Sequence, residues 1–262
     1  MKVRLINTNY NTASMNMAID EALLISKKPV IRFYRWAPSA LSLGYFQNIK
    51  DINIPYSKSQ NIDIVRRITG GKTVLHDKEL TYSIIMDETL MPKSIIDSYK
   101  LISKGILSAL KQLKLNPEMN ETVTKNSKSA ICFNEPSYYE ITVNNKKIVG
   151  SAQTRKNKKL LQHGSILIDL DYDKLVSTFN IKNKEETIKK TKARVTSINN
   201  ELRKEISYNQ LKEALISGFQ DNLEIELVED QLTKEELALA NKLEKEKYST
   251  KQWNINASTE TI

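Results

Sequence analysis

The stretch that most constrains the fold is residues 138–170, YYEITVNNKKIVGSAQTRKNKKLLQHGSILIDL. Two short polar turn signals, NN and KNKK, interrupt runs of β-branched and other apolar residues. Such turns between strand-like runs favour β-hairpins. The stretch therefore predicts three consecutive strands joined by two tight turns.

Strand and helix patterns follow one another in mixed order along the rest of the chain. Strands are predicted at KVRLINT, PVIRFYRW, ALSLGYF and LEIELVE, and three times within IDIVRRITGGKTVLHDKELTYSIIM. Helices are predicted at SMNMAIDEALLISK, capped by Ser14, and at SIIDSYKLISKGILSALKQLKL, capped by Ser94. Further helices are expected at about 171–180, 184–193, 208–221 and 233–247.

This mixture predicts an α+β fold with a large mixed β-sheet flanked by helices. We expect one domain over residues 1–254, in which residues from about 195 form a mainly helical portion packed on the rest. Residues 118–130 are polar and are predicted to form a mobile loop. Residues 255–262 are predicted to be a disordered tail.

Composition and charge indicate where the protein is located and which kinds of partner it binds. No apolar run approaches the roughly 18 residues of a membrane span, and the N-terminus lacks the apolar region of a signal peptide, so a cytoplasmic protein is expected. The net charge of +9 favours acidic partners. Because the basic residues are scattered and form no nucleic-acid-binding module, an acidic protein explains the charge as well as nucleic acid does, and so does a lysine-rich composition.

The segment RRITGGKTVLHD, residues 66–77, is the first candidate site. Two adjacent glycines, Gly70 and Gly71, permit backbone angles and close ligand approach that side chains forbid. The strand that follows the glycines is expected to place His76 at the edge of any ligand site that the turn encloses. The spacing is not that of a phosphate-binding Walker loop, and a plain hairpin turn with two surface arginines fits it as well.

The single cysteine, Cys132, is the second candidate. A lone cysteine usually behaves as a small buried apolar residue. Polar sequence precedes Cys132 and NEPS follows it, which favours a loop setting. A nearby ammonium would lower its pKa, and strand alternation allows only one of Lys146 and Lys147 to face an interior site. The pattern KIVGS predicts that Lys147 shares a face with Val149.

His163, in LQHGS, is the third candidate, and it fits either a hydrogen-bonded core residue or a pocket wall. Neither His76 nor His163 has other potential metal-binding residues at the spacing of known metal sites, so no metal site is predicted. A Cys-His-Asn protease arrangement has no local support in the sequence.

Together these segments resemble the biotin/lipoate protein ligase superfamily. The resemblance covers NMAIDEALL, IRFYRWAPSALSLGYFQ, RRITGGKTVLHDKELTYSII and KKIVGSAQTRKNKKLLQHGSILID, in that order, and KYSTKQWN near the C-terminus. The stretch ICFNEPSYYEITVNNKKIVGSAQTR resembles the cysteine-dependent octanoyltransferases of this superfamily. Lys72 and Thr73 depart from the arginine and smaller residue that often follow the glycine pair in such sequences.

The resemblance implies an acyltransferase with no cofactor, in which Cys132 forms an acyl-thioester and Lys147 lowers its pKa. Its implied donor is octanoyl-acyl carrier protein, and its implied acceptor is a lysine of a lipoyl domain, such as that of glycine cleavage H protein. The implied substrate-binding residues are Arg67, Gly70, Gly71, His76, Gly150, Ser151 and His163. An ATP-dependent lipoate protein ligase, an amidotransferase that moves octanoyl between lipoyl domains, and a non-catalytic carrier-protein or nucleic-acid binder remain alternatives.

Overall fold

A computed structural model describes residues 1–120 and 140–255. Its strands are β1 (Lys2–Asn11), β2 (Val30–Trp36), β3 (Ala40–Leu43), β4 (Asp63–Arg66), β5 (Val74–His76), β6 (Glu79–Asp87), β7 (Pro117–Asn120), β8 (Glu140–Val143), β9 (Lys146–Lys156), β10 (Lys159–Leu167) and β11 (Glu226–Asp230). Its α-helices are α1 (Ala13–Ala22), α2 (Ile54–Ser59), α3 (Ile95–Gln112), α4 (Tyr172–Ser177), α5 (Lys184–Arg194), α6 (Ile198–Leu202), α7 (Tyr208–Leu223), α8 (Lys234–Leu243) and α9 (Lys251–Asn254).

A large mixed sheet lies at the centre of the fold. Its strand order is β11-β1-β2-β6-β10-β9-β8-β7, with β1 parallel to both of its neighbours and the other pairs antiparallel. The strands β4-β3-β5 form a separate small sheet. The predicted α+β class, with a large mixed sheet and helices at the C-terminus, is therefore confirmed.

Both predicted hairpins of the opening stretch are present. The turns between β8 and β9 and between β9 and β10 consist of Asn144–Asn145 and Asn157–Lys158, and all four residues have positive φ. Two consecutive positive φ values match the right-handed twist of the flanking strands. The turn signals in the sequence thus set the register of this part of the sheet.

Helices cover both faces of the large sheet. On one face α3 crosses α7, and the close approach depends on Gly105 and Gly218, since a Cβ on Gly218 would lie 2.3 Å from the carbonyl oxygen of Gly105. On the other face α1 packs against α8. The two helical layers bury separate apolar clusters against the sheet.

Several local predictions were wrong. The first helix begins at Ala13, because Thr12 rather than Ser14 accepts the capping hydrogen bond from Met15 N. The strand predicted from ALSLGYF ends at Leu43 and belongs to the small sheet. Residues 118–120 of the predicted loop form part of β7, which pairs with β8, while 121–130 lie outside the described residues.

The C-terminal residues are tied to the rest of the chain by a strand and by helices. β11 pairs with β1, and α9 contacts β4. The short helices α2, α6 and α9 were not predicted. Apart from Ile255, the predicted tail lies outside the described residues. No helix within residues 1–120 and 140–255 is both long and apolar enough to cross a membrane.

Candidate active site

A cavity lies between the large sheet and the small one. Its wall is mostly apolar, as is typical of sites that bind small molecules. The side chains and backbone that surround it come from α1, β2, β3, the glycine turn, β5, β6, β9 and β10. They are Met17, Tyr34, Trp36, Ser42, Arg67, Gly71, Val74, His76, Thr81, Gly150, Ser151, Ala152, His163, Gly164 and Ser165.

The two glycines of the turn have different roles. Gly71 lines the cavity with φ of +93°, a conformation that L side chains rarely adopt. The turn also packs closely on Gly44, since a Cβ there would lie 1.8 Å from the Gly71 carbonyl oxygen. A Cβ on Gly70 would meet nothing within 4 Å, and Gly70 does not line the cavity. Gly70 instead accepts a hydrogen bond from Arg67 Nη2 at 2.7 Å.

Arg67 lies under the turn as a buried brace rather than on the surface. Its guanidinium donates to the carbonyl oxygens of Ser42, Gly70 and Lys72 at 2.7–2.9 Å. It also donates to the hydroxyls of Ser42 and Thr69, at 3.2 and 3.1 Å. Arg67 therefore fixes the turn relative to the small sheet from inside the cavity wall.

His76 is held in a buried chain of polar groups. Its Nε2 lies 2.8 Å from Ser42 Oγ, and its Nδ1 lies 3.0 Å from Glu79 Oε1. The same carboxylate oxygen accepts a short hydrogen bond from Thr81 Oγ1. Trp36 stacks on the His76 ring at 4.0 Å between centroids. The imidazole is thus clamped in position at the cavity.

His163 is the centre of a second buried chain. Its Nε2 lies 2.7 Å from Thr69 Oγ1, and its Nδ1 lies 3.0 Å from Asp20 Oδ2. Burial lowers the pKa of His163, and the neighbouring Asp20 offsets this only in part. His163 is therefore neutral at pH 7, although it contacts a carboxylate.

Asp20 supports this chain from α1. Burial alone would raise the pKa of its carboxyl group, but Arg32 and the hydrogen bonds from His163 and Tyr34 outweigh that effect, and the pKa is lowered. Arg32 Nη1 donates to Asp20 Oδ1 at 2.6 Å. The pocket wall thus contains a buried ion pair that keeps its carboxylate ionised.

Lys147 lies on the opposite sheet face from the one expected. In the pairing of β8 with β9, Ile141 faces Val149 and Thr142 faces Lys147, so Ile148 is an extra residue, a β-bulge. Ile148 and Val149 both point into the apolar cluster under α3 and α7. The prediction that Lys147 shares the face of Val149 is wrong, because the bulge interrupts the alternation.

The bulge turns Lys147 towards the cavity side of the sheet. Lys147 is buried, and its Nζ donates to Glu140 Oε1 at 2.7 Å. Gly150 lies three residues further along β9, or about 10 Å at the usual strand rise, and lines the cavity. Lys147 therefore lies on the same sheet face as the cavity, near one end of it.

Cys132 lies outside the described residues. The residues on either side of the segment 121–139, Asn120 and Glu140, are paired across β7 and β8. The segment thus leaves and rejoins the sheet beside the carboxylate that binds Lys147. Glu140 follows Cys132 by eight positions in the sequence, a stretch that spans at most about 29 Å when the chain is extended.

The structure brings most of the predicted substrate-binding residues to one cavity. Those that line it are Arg67, Gly71, His76, Gly150, Ser151 and His163. Ser151 reaches it from the side of the helices, where its Oγ lies 2.8 Å from Tyr82 Oη.

Several polar members of the site were not predicted from the sequence. They are Asp20, Ser42, Thr69, Glu79 and Thr81. An acidic residue amid the apolar face of a helix, as in NMAIDEALL, was the available signal for Asp20. The hydroxyl groups have no comparable signal, since their partners are distant in sequence. In the described ranges, no group of three His, Cys, Asp or Glu side chains is arranged to hold a metal ion.

Comparisons with known proteins agree with this geometry. Residues 12–220 match the family model of the lipoyl protein ligase A/B catalytic domain. Octanoyltransferase LipM of Brevibacillus brevis is 42% identical, over 96% of this chain and 98% of that protein. Octanoyltransferase LipM of Bacillus subtilis is 41% identical, over 96% of this chain and 97% of that protein.

Solved structures of lipoate protein ligases share the fold. A bipartite lipoate protein ligase of Thermoplasma acidophilum, studied with its E2 lipoyl domain, superposes with a TM-score of 0.84 at 26% identity over 100% of this chain and 99% of that one. A lipoate-protein ligase A bound with ATP superposes with a TM-score of 0.83 at 28% identity, over 97% of this chain and 98% of that one. The similarity thus extends over essentially the whole length of each protein.

Proposed function

The chain belongs to the lipoyl protein ligase A/B catalytic family and is an octanoyltransferase of protein lipoylation, and we propose that it acts through an acyl-thioester on Cys132. Its donor is octanoyl-acyl carrier protein, and its acceptor is a lysine of a lipoyl domain, that of glycine cleavage H protein in particular. The expected cytoplasmic location stays a prediction.

The observation that carries this proposal is the position of Lys147. Its buried ammonium faces the cavity side of β9, next to the paired residues between which the Cys132 segment begins and ends. A cation near a thiol favours the thiolate, which is the nucleophilic form. A mostly apolar cavity a few residues away along the same strand can hold the acyl chain.

The transfer takes place in two steps. The Cys132 thiolate attacks the thioester carbonyl of the donor, the C–S bond to the carrier breaks, and the carrier thiolate leaves with a proton. The neutral ε-amine of the acceptor lysine then attacks octanoyl-Cys132, an amide forms, and the Cys132 thiolate is regenerated as the amine loses its proton. Exchange between thioesters is nearly isoenergetic and amide formation is downhill, so no ATP is consumed.

The cavity residues bind and orient the chain. Burial of the chain contributes about 0.8 kcal/mol per methylene, which positions the carbonyl for attack. Gly71 and Gly150 provide a wall without side chains. Arg67, His76 and His163 keep that wall rigid through the buried hydrogen bonds described above.

Intact mass spectrometry after incubation with octanoyl-acyl carrier protein, without ATP, tests the proposal. We expect a hydroxylamine-labile octanoyl adduct on Cys132, and Cys132→Ser should abolish turnover because a hydroxyl is a poor nucleophile at neutral pH. An enzyme that forms no adduct, needs lipoate and ATP, and stays active as Cys132→Ala would be a ligase. An adduct that forms only from an octanoylated lipoyl domain would make it an amidotransferase.

Lys147→Met tests the role of the lysine, with Lys146→Met as the matched control. Lys146 is the adjacent residue of β9 and pairs with Val143, so its side chain points to the other face. Alkylation of Cys132 by iodoacetamide should shift to higher pH in Lys147→Met and stay unchanged in Lys146→Met. An unshifted alkylation profile in Lys147→Met would mean that the lysine acts elsewhere, for example on the developing oxyanion.

A further inference from the structure

A short loop beside the cavity exposes a large aromatic side chain. Residues 44–47, GYFQ, which we call the aromatic loop, follow β3 directly. Phe46 is 74% exposed, more than any other large apolar side chain in the described ranges. Tyr45 packs against it edge to face, with 4.8 Å between ring centroids.

The aromatic loop is held in place by a buried arginine. Arg66 is 2% exposed, and its Nη1 donates to the carbonyl oxygens of Gly44, Tyr45 and Gln47 at 3.0, 3.0 and 2.7 Å. Burial lowers the pKa of this guanidinium, and no carboxylate within residues 1–120 and 140–255 lies in salt-bridge distance of it. A buried charge without a counter-ion is costly, so its hydrogen bonds to the loop hold one backbone conformation firmly.

The same loop forms part of the cavity rim. Gly44 abuts the carbonyl group of Gly71, which lines the cavity. Gln47 Oε1 accepts a hydrogen bond from Thr73 Oγ1 at 2.8 Å. Phe46 is therefore presented to solvent from a rigid support next to the glycine turn. Rigid exposed aromatic side chains are typical anchors of protein–protein interfaces.

A segment rich in basic residues lies near the aromatic loop in the fold. Residues 182–194, which we call the basic ridge, include α5 and carry six basic side chains against two acidic ones. Lys182, Lys189 and Lys192 are exposed and form no ion pair with any carboxylate in the described part of the chain.

The basic ridge connects the aromatic loop with Lys147. At one end Asn180 donates to the carbonyl oxygens of Lys50 and Ile52, just after the aromatic loop. At the other end Val195 pairs with Lys147 on β9. Asp51 lies at the junction with the aromatic loop, and Asp173 forms an ion pair with Lys184 of the basic ridge at 2.9 Å. The basic ridge thus begins beside the residues that follow the aromatic loop and ends beside the strand that carries the buried Lys147.

We propose that the aromatic loop and the basic ridge form the docking surface for the acidic carrier protein that delivers the octanoyl thioester. The proposal rests on the proposed function. A donor must insert its acyl chain past the rim while its protein body stays outside, against the surface that surrounds the opening. An acceptor lysine only has to meet the thioester. Phe46 anchors the carrier, and the basic ridge attracts its acidic surface.

The test compares two donors on two variants. Phe46→Ala removes the anchor, and a triple substitution to glutamine at Lys182, Lys189 and Lys192 removes the unpaired charge of the basic ridge. Acylation of Cys132 is measured with octanoyl-acyl carrier protein and with octanoyl-coenzyme A, which lacks the carrier body. With the carrier, we expect kcat/KM to fall at least about tenfold in Phe46→Ala. The loss in the triple variant should shrink as salt is added.

With octanoyl-coenzyme A neither variant should differ from the wild type. Matched controls on the opposite side of the large sheet are Ile95→Ala, whose side chain is 62% exposed, and a triple glutamine variant of the exposed Lys104, Lys111 and Lys114. Both controls should keep wild-type kinetics with both donors.

Three results would overturn the docking surface. An equal loss with octanoyl-coenzyme A would mean that Phe46 contacts the acyl chain. Unchanged kinetics with the carrier would remove any role for the surface. A rise in KM for the lipoyl domain alone would assign the surface to the acceptor.

A binding measurement separates this proposal from the proposed function. Fluorescence polarisation of labelled octanoyl-acyl carrier protein on the Cys132→Ala protein requires no turnover. If the double variant Cys132→Ala/Phe46→Ala binds the carrier more weakly than Cys132→Ala does, the docking surface is supported, even if the wild type shows no octanoyl transfer. Equal binding by the two proteins overturns the docking surface. Absence of acylation in the wild type would count against the proposed function alone.

Discussion

Replacing Asp20 by alanine should destabilise the protein by about 3–5 kcal/mol, because it leaves a buried cation without its counter-ion. The Asp20 side chain is 2% exposed. Its two oxygens accept hydrogen bonds from four buried side chains, which are Arg32, Tyr34, Ser83 and His163, at 2.6–3.0 Å.

The magnitude follows from what each partner loses. The Arg32 side chain is fully buried, and removal of one member of such a pair costs about 3–5 kcal/mol. Thr8 and Asn16 still accept from its guanidinium, which favours the lower half of that range. The hydroxyls of Tyr34 and Ser83 also each lose an acceptor, and with this cost included the expected total stays at about 3–5 kcal/mol. The free energy of unfolding of a typical domain is about 5–15 kcal/mol, so the variant should be marginally stable.

Urea unfolding at pH 7, followed by circular dichroism, measures this loss. Combining Asp20→Ala with Arg32→Met should cost less than the sum of the two single variants by about 1 kcal/mol or more, since the double variant buries no lone charge. Glu186→Ala breaks an exposed ion pair with Lys190 and should leave the unfolding curve unchanged. A loss below about 1 kcal/mol, or additivity within about 0.5 kcal/mol, would refute the reasoning.

The same variant has a pH signature. Because the folded-state pKa of Asp20 is lowered, the unfolded chain takes up the proton first, and the contribution of the ionised carboxylate is lost as pH falls from about 3.9 through the folded-state value. The wild type should lose stability more steeply than Asp20→Ala in this acidic window.

Two further predictions concern the cavity wall. Gly44→Ala places a Cβ 1.8 Å from the Gly71 carbonyl oxygen, so the turn must shift; KM for the octanoyl donor should rise, and stability should fall by about 1–3 kcal/mol or more. Gly70→Ala is the matched control, and comparable damage from it would show that the close contact is not the cause. The lowered pKa of His163 means that the unfolded chain binds its proton first, so stability decreases as pH falls below about 6.5. In His163→Gln, the urea concentration at the unfolding midpoint should therefore depend less on pH below about 6.5 than it does in the wild type. An unchanged pH dependence would contradict the lowered pKa of His163.

Features encoded by neighbouring residues were predictable from the sequence. The helix from Ile95 to Gln112 and its Ser94 cap follow from periodicity and capping chemistry. The asparagine turns at Asn144–Asn145 follow from the tolerance of asparagine for positive φ. Each of these depends on a few consecutive side chains, which a single sequence displays directly.

Features that depend on distant partners were not predictable in the same way. The bulge at Ile148 leaves the apolar pattern intact, since Ile148 and Val149 are both apolar, so alternation gave the wrong face for Lys147. The bond between Asp20 and His163 spans 143 residues of sequence, and nothing local in either segment indicates the other. Sequence patterns therefore located the cavity segments but not the hydrogen bonds that shape them.

Those hydrogen bonds explain why a cavity lined by an arginine and two histidines suits a hydrocarbon chain. A carboxylate can only accept, so the Nδ1 atoms of His76 and His163 donate to Glu79 and Asp20. On the other side of each ring, Nε2 lies within hydrogen-bond distance of the hydroxyl of Ser42 or Thr69. Those hydroxyl oxygens in turn accept from Arg67. Most of these polar groups are therefore occupied by one another, and the exception among them is Glu79 Oε2, which has no hydrogen-bond partner within residues 1–120 and 140–255.

A wall whose donors and acceptors are already paired gains nothing from a polar ligand that would have to displace them. An apolar chain costs no hydrogen bonds there and gains from leaving water. Ser165 is the exception on the cavity wall, because its buried Oγ has no hydrogen-bond partner within the described ranges. Since Ser165 lies opposite Gly150 on β10, this hydroxyl marks the place where a polar atom of the substrate would be accommodated at the least cost.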